Sequence, residues 1–443
     1  MKPRACPGQR TPGPLVTAAA LIAGLTLNAC ASHGLHMQEV EKHLAAGDPA
    51  QALSSLDDLS RSQRDRGLRE LDRGMLLRMN GDLQGSIEAL EAAKDILGEL
   101  EAISLTETAG ALMVSERTRS YAGDVHERVL LHVYQALNFL ETGQYAAARV
   151  EAQQIDLGLR RIDNQFGRAP HGGDAFARYL AGLIYERNGE YDDALIALRK
   201  AFEVYELNAD EGGVPVPRDL LARLNILANQ MGLRDEAERY AARLDAPPQR
   251  PGTGEGEIMV VVHHGLAPAR VAESINTHDP ETGQIYRISL PRLAPRGHTL
   301  SPPVLRVNGR TGRSEKVEDI TRVAQRTLDQ QLPALTARAI TRNITKHHAS
   351  QAVREESELL GFLVNIAGAV AEEADTRSWR TLPADIYLAR IIVPAGTYTL
   401  ELEPASGSTT YGQALEDVRV EPGSMTFRSL HRIPHHIAPR RRR

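Results

Sequence analysis

The sequence predicts a mainly α fold: an α-solenoid of helical hairpins followed by a smaller α+β domain that contains a β-meander. Three observations carry that prediction. A fixed pattern of small, aromatic and glycine residues recurs five times between about Val40 and Leu244. A Pro/Gly-rich stretch, residues 246–257, then interrupts it. Beyond that stretch the apolar period changes to short runs of β-forming residues separated by turn residues.

The fullest copy of the repeat reads Gly182, Leu183, Tyr185, Gly189, Tyr191, Ala194, Leu198 and Ala201. Small residues let two helices approach, a glycine suits the turn between them, and aromatics fill the remaining space. The same offsets recur around Gly47 (Ala52, Leu56, Leu59), Gly81 (Gly74, Leu77, Leu83, Ser86, Leu90, Ala93), Gly143 (Ala136, Phe139, Tyr145, Ala148, Ala152) and Gly232 (Ala237, Ala241, Leu244). Gly47 and Gly81 stand 34 residues apart, the period of tetratricopeptide (TPR) repeats. Residues 30–245 are therefore read as a TPR-like α-solenoid. The later glycine spacings are 62, 46 and 43 residues, so inserts separate the hairpins. They fall at residues 99–125, read as an extra helix with a loop, and at 165–174 and 208–217, read as loops. Asp48 followed by Pro49 suits the start of a second helix, because proline tolerates the first helical turn.

The inner face of such an array is lined by fixed positions of the first helix of each hairpin. Here they are Leu130, Val133, Leu137 and Leu140 in the third repeat, and Phe176, Tyr179 and Leu183 in the fourth. This apolar groove suits a partner's helix or extended segment. The same residues would serve equally well as a seat for the chain's own C-terminal domain or inserts.

After the linker, residues 258–430 are read as the α+β domain. Ile258 to Val262, Ile285 to Leu290 and Val304 to Val307 read as strands, with a turn at Asn308 and Gly309. From Val317 to Ala374 the period is helical, with Ile320, Val323, Ala324, Thr327 and Leu328 on one face and Pro333 starting or kinking the next helix. Leu359 to Val370 is an uncharged run of twelve residues, too short to span a bilayer. Strands then follow at Ile386 to Val393, Thr397 to Leu402, Asp417 to Val420 and Ser424 to Leu430. Residues 431–443 read as a basic tail ending in Arg440 to Arg443, a solvated end or an electrostatic contact for anionic lipid or glycan.

At the N-terminus, residues 1–29 read as a lipoprotein signal peptide. Lys2, Arg4 and Arg10 form its basic region and Leu15 to Leu27 its apolar core. It ends in Leu27, Asn28, Ala29 and Cys30, which resembles the bacterial lipobox. The resemblance implies that the Cys30 thiol carries diacylglycerol and its freed amine a further acyl chain such as palmitate. Several chains anchor a protein stably where one does not. Ala31 and Ser32 follow the cysteine, which by resemblance to lipoprotein sorting rules implies the outer membrane, with the periplasmic face expected. The chain's other cysteine, Cys6, lies in the removed segment, so the mature chain has no disulfide framework.

Composition narrows the function further. The net charge of −5 over 443 residues disfavours bulk nucleic-acid binding. Adjacent histidines (His263 and His264, His347 and His348, His435 and His436) diverge on a strand or a helix and chelate poorly, so no metal and no cofactor is expected. Gly252 to Gly256 precedes a strand and lacks the Lys-Ser/Thr of a phosphate loop. No nucleophile-base arrangement stands out, and an enzyme is not expected. Asp375, Arg377 and Trp379 form a candidate C-terminal site. The simpler reading is a corner in which Asp375 and Arg377 cap or pair while Trp379 packs under the sheet.

The lipobox, the hairpin repeats, Ala374 to Ala384 (ADTRSWRTLPA) and the phrase Pro394, Ala395, Gly396 before Tyr398 together resemble an uncharacterised bacterial family of TPR-containing lipoproteins. Members are often encoded near an outer-membrane lipoprotein that activates peptidoglycan synthases. The resemblance implies an envelope role and supplies no catalytic residues. The resulting expectation is a membrane-anchored, non-catalytic adaptor or assembly factor of the cell envelope. Its expected partners are envelope proteins, such as a cell-wall synthase or its lipoprotein activator. The alternative is a glycan- or lipid-binding lipoprotein whose C-terminal β-module carries the ligand site, with the array as a spacer.

Overall fold

The computed structural model describes residues 32–58, 62–104, 120–166, 174–278, 285–298, 300–356, 374–403, 408–412 and 415–434. The expectations placed on Cys30 and the signal peptide, on Leu59, on Leu359 to Val370, on His435 and His436 and on Arg440 to Arg443 lie outside the described residues.

Ten helices pair into five hairpins: α1 (Ser32–Ala46) with α2 (Pro49–Asp57), α3 (Arg66–Met79) with α4 (Leu83–Ser104), α5 (Val125–Glu141) with α6 (Tyr145–Phe166), α7 (Asp174–Arg187) with α8 (Tyr191–Asp210), and α9 (Arg218–Gln230) with α10 (Arg234–Ala241). Every hairpin turns on the glycine expected from the repeat. Gly47, Gly81, Gly143, Gly189 and Gly232 all have φ between 75° and 93°. In each case the N–H of the next residue reaches the carbonyl five residues back, as in Asp82 to Leu77 (2.9 Å), Gln144 to Phe139 (2.8 Å) and Leu233 to Ala228 (2.8 Å). That is the Schellman closure, which needs a left-handed residue that only glycine supplies without strain. At the next helix start, the Asp48 side chain accepts the Gln51 N–H at 2.8 Å ahead of Pro49.

The small-residue positions carry the close approach. A Cβ on Gly182 would stand 2.5 Å from a methyl of the buried Leu198, and one on Gly74 2.6 Å from Leu90. Gly182→Val is expected to destabilise the protein by about 1–3 kcal/mol in denaturant unfolding, the usual effect of overpacking. An unchanged midpoint would mean that the two helices are free to separate.

The expected α+β region contributes β1 (Glu255–His264), β4 (Val304–Val307), β5 (Arg310–Asp319), β6 (Asp385–Pro394), β8 (Glu401–Leu402), β9 (Ser408–Gly412) and β11 (Met425–Pro434) to one seven-stranded sheet. The order is β8-β4-β5-β6-β1-β11-β9. β1 and β11 run parallel, and the other neighbours in this sheet run antiparallel. Two ribbons accompany it, β2 (Ala269–His278) with β3 (Ile285–Ala294) and β7 (Gly396–Tyr398) with β10 (Val418–Val420). A long helix, α11 (Ile320–Glu356), leaves β5 and runs without a break through Pro333.

β1 is covered on both faces, which is why it reads as an unbroken apolar run. Met259 and Val261, with Phe427, Met425, Leu388 and Ile386, join the core of the helical array. Ile258, Val260 and Val262 lie in a second core with Ala389, Ile391, Val393, Leu305, Val418 and Val420. Two expected boundaries shift. β1 starts at Glu255, inside the stretch read as linker, and β11 continues to Pro434, so His431 and Arg432 are buried strand residues rather than tail.

Candidate functional site

The seven residues expected to line a partner groove, Leu130, Val133, Leu137, Leu140, Phe176, Tyr179 and Leu183, are all between 0 and 2 % exposed. They share one core with Met259, Val261, Val317, Trp379 and Phe427 of the C-terminal region. The inner face of the array is therefore filled by the chain's own sheet. The physical reason is simple: an apolar helix face and a two-sided apolar strand in one chain bury each other. The groove is present where the repeat placed it, and it is not open.

Polar groups tie this seam together. The Arg78 guanidinium, 1 % exposed, donates to Asn138, Glu141 and Ser429. Glu141 in turn accepts the Ser429 N–H at 3.0 Å and its hydroxyl at 2.8 Å. A second junction is centred on Arg223, which reaches Asp219 (2.7 Å) on its own helix, Glu186 (2.9 Å) on α7 and Glu257 (2.7 Å) on β1. Arg390 of β6 also pairs with Glu257. Burial opposes the charge on Asp219 and Glu257, yet the arginines hold both carboxyls below their ordinary values. At Glu186 burial wins and the carboxyl is raised. Carboxylates of β5 also cap helix starts, with Glu315 accepting the Arg218 N–H at 2.9 Å and Glu318 the Phe176 N–H at 3.4 Å. Tyr205 closes the seam with a 2.7 Å hydrogen bond to the Val317 carbonyl.

Asp375, Arg377 and Trp379 form a docking corner. Arg377 pairs with Asp375 (2.6 Å) and with Asp65 of the array (2.9 Å), and its guanidinium lies 5.5 Å over the Tyr121 ring. Trp379 is 2 % exposed, edge-on to Tyr134 at 5.7 Å, and its backbone N–H donates to Glu127 at 2.7 Å. Just beyond, Thr381 donates its N–H (3.1 Å) and hydroxyl (2.8 Å) to Asp72. Burial pushes the Asp72 carboxyl up to about 7 against those hydrogen bonds.

The histidines separate as strand geometry requires. His263 stacks on His431 (4.3 Å between ring centres) beside Tyr134, on the helical side. His264 faces the other way, against Tyr387, His298 and Arg432. Burial is the main cause holding His263 and His431 well below the ordinary histidine range and His264 at about 3. The side chains of His347 and His348 lie outside the described residues. Among the described residues Asp124, His126 and Glu127 bring potential ligand atoms within 4.8 Å of one another. Their carboxylates are already engaged, Asp124 with Arg270 (2.6 Å) and Gln331 (3.1 Å), and Glu127 with Tyr121, Trp379 and the Asp124 N–H.

An open cleft of about 410 Å³ lies where the linker meets the first residues of β1 and β5 and the end of β6, lined by Gln249, Arg250, Glu255, Arg310, Thr311, Arg390, Ile391 and Ile392. The sequence carries no local signal for it. Its three arginines come from the linker, from the residue after the Asn308–Gly309 turn, and from the middle of β6.

No protein-family model matches the chain, and no curated protein does. Solved structures similar to it include "MamA 41-end from Desulfovibrio magneticus RS-1", at 15 % identity over 47 % of this chain and 91 % of that one, with a TM-score of 0.32. "Crystal structure of MamA" matches at 17 % identity over 46 % of this chain and 91 % of that one, with a TM-score of 0.31. At these values the assignment of a TPR-like array beside an α+β sheet rests on the hairpins, glycine turns and strand pairing of this chain itself.

Proposed function

We propose that this chain is a non-catalytic, protein-binding adaptor or assembly factor of the bacterial envelope, tethered by acyl chains on Cys30. The observation that carries this reading is the array of five stacked hairpins, an architecture that offers extended surface for protein contact. The lipobox-like segment ends immediately ahead of α1, which begins at Ser32, so an acylated Cys30 would hold the first hairpin against the bilayer. Among the described residues no helix is long and apolar enough to cross a membrane. With the inner face occupied by the sheet, partner contact falls to the outer side. There α6 and α8 keep Val150, Leu157, Ile196 and Leu207 nearly half exposed. The partner class supported by the family resemblance is a cell-wall synthase or its lipoprotein activator.

Crosslinking capture from intact cells with the tagged chain, beside a Cys30→Ala form, tests this. Enrichment of an envelope protein that disappears with the anchor is the expected result. Equal capture by both forms, or recovery of sacculus alone, would overturn the tethered-adaptor reading.

A further inference from the structure

Three arginines, Arg250, Arg310 and Arg390, line the cleft at the ends of β1, β5 and β6. Each of its guanidinium groups is pinned by a backbone carbonyl: Arg250 by Ile226, Arg310 by Ile392 and Arg390 by Gln249, all at 2.9 Å. Such anchoring fixes the side chains before a ligand arrives and lowers the entropic cost of binding. Arg390 spends its charge on Glu257 and Asp219 behind the wall. Arg250 and Arg310, which both line the cleft, have no carboxylate within ion-pair distance among the described residues. The one acid in the lining, Glu255, uses a carboxylate oxygen to accept the Gly252 N–H at 2.8 Å. Two arginines without an ion pair thus stand against one glutamate around a space of about 410 Å³, within the size range of small-ligand pockets.

We infer that this cleft binds a small ligand through an oxyanion group, phosphoryl or carboxylate, held by Arg250 and Arg310. The planar fork of a guanidinium matches both groups, and Thr311 and Gln249 add neutral hydrogen-bonding partners at the rim. The inference is independent of the adaptor reading, since it concerns a different surface and a different class of ligand.

Isothermal titration of the full chain with inorganic pyrophosphate and with citrate tests it. Saturable binding of at least one probe, weakened by added salt, is expected. The Arg250→Ala/Arg310→Ala variant should bind about tenfold more weakly or worse, given the usual strength of charge-assisted hydrogen bonds. Both side chains are exposed, so its circular dichroism should match that of the unaltered chain. The Arg250→Lys/Arg310→Lys variant, which keeps the charge and loses the fork, should fall between the two. Arg239→Ala, on an exposed face of α10, should change nothing. Tighter pyrophosphate binding would assign a phosphoryl ligand and tighter citrate binding a carboxylate. If the full chain binds neither probe, or if the double alanine variant binds as the full chain does, the inference is wrong.

Discussion

Replacing Arg223 with methionine should lower the stability of the whole protein by about 3–5 kcal/mol near neutral pH, because it leaves three buried carboxyls without the cation they share. Arg223 is 1 % exposed and bridges α9, α7 and β1 through Asp219, Glu186 and Glu257. The pH dependence has a definite sign. Asp219 and Glu257 sit below their ordinary values in the folded protein. Their contribution is therefore present above the unfolded carboxylate pKa and is lost as pH falls through the folded values. In the variant only Arg390 still opposes burial at these two groups, so protonation in the folded state becomes easier. The gap in unfolding free energy between the two proteins should narrow as pH is lowered toward about 4, near the unfolded carboxylate values. Glu186 is raised by burial even though Arg223 lowers it, so removing Arg223 raises it further and narrows the gap in the same direction. Urea unfolding at neutral and acidic pH measures this. A gap that widens in acid would refute the assignment of Arg223 as their counter-ion.

The second large effect is expected at Glu141. Glu141→Ala leaves the buried Arg78 without its carboxylate and strips the acceptor from both the N–H and the hydroxyl of Ser429. A loss of about 3–5 kcal/mol should follow. The paired change Arg78→Met/Glu141→Met should recover much of it, since removing both charges leaves neither buried alone. Comparable loss in the single and paired variants would mean that the cost is one of packing, unrelated to the ion pair.

The helical half was legible because its determinants are local. A glycine at each turn, a small residue facing a leucine and a proline after Asp48 act within one hairpin, and all are present in the folded chain. The strands Ile258 to Val262, Val304 to Val307 and Ile386 to Val393 were legible for the same reason. Their partners were not. β1 pairs in parallel with β11, from the far end of the chain, and a parallel pairing leaves no turn signal between its strands. β2 lacks the alternation of a half-buried strand, and its sequence gave no hint of the ribbon with β3. The groove residues are legible as apolar and inward-facing, but their occupant is not, because nothing in a helix face says what covers it. Arg78 and Glu141 look like ordinary helix-surface charges until Ser429 arrives from β11. The arginine cleft is hidden for the same reason, being assembled only by tertiary contact.

The helical array and the sheet share one core, so the two are expected to unfold together. Trp379, the chain's single tryptophan, is buried at the seam between them against Tyr134, so its fluorescence reports the seam while far-ultraviolet circular dichroism reports the helices. Urea unfolding followed by both signals should give coincident transitions with one midpoint. If Trp379 became solvated at lower urea while the helical signal stayed intact, the sheet would be a detachable lid and the inner groove an available site.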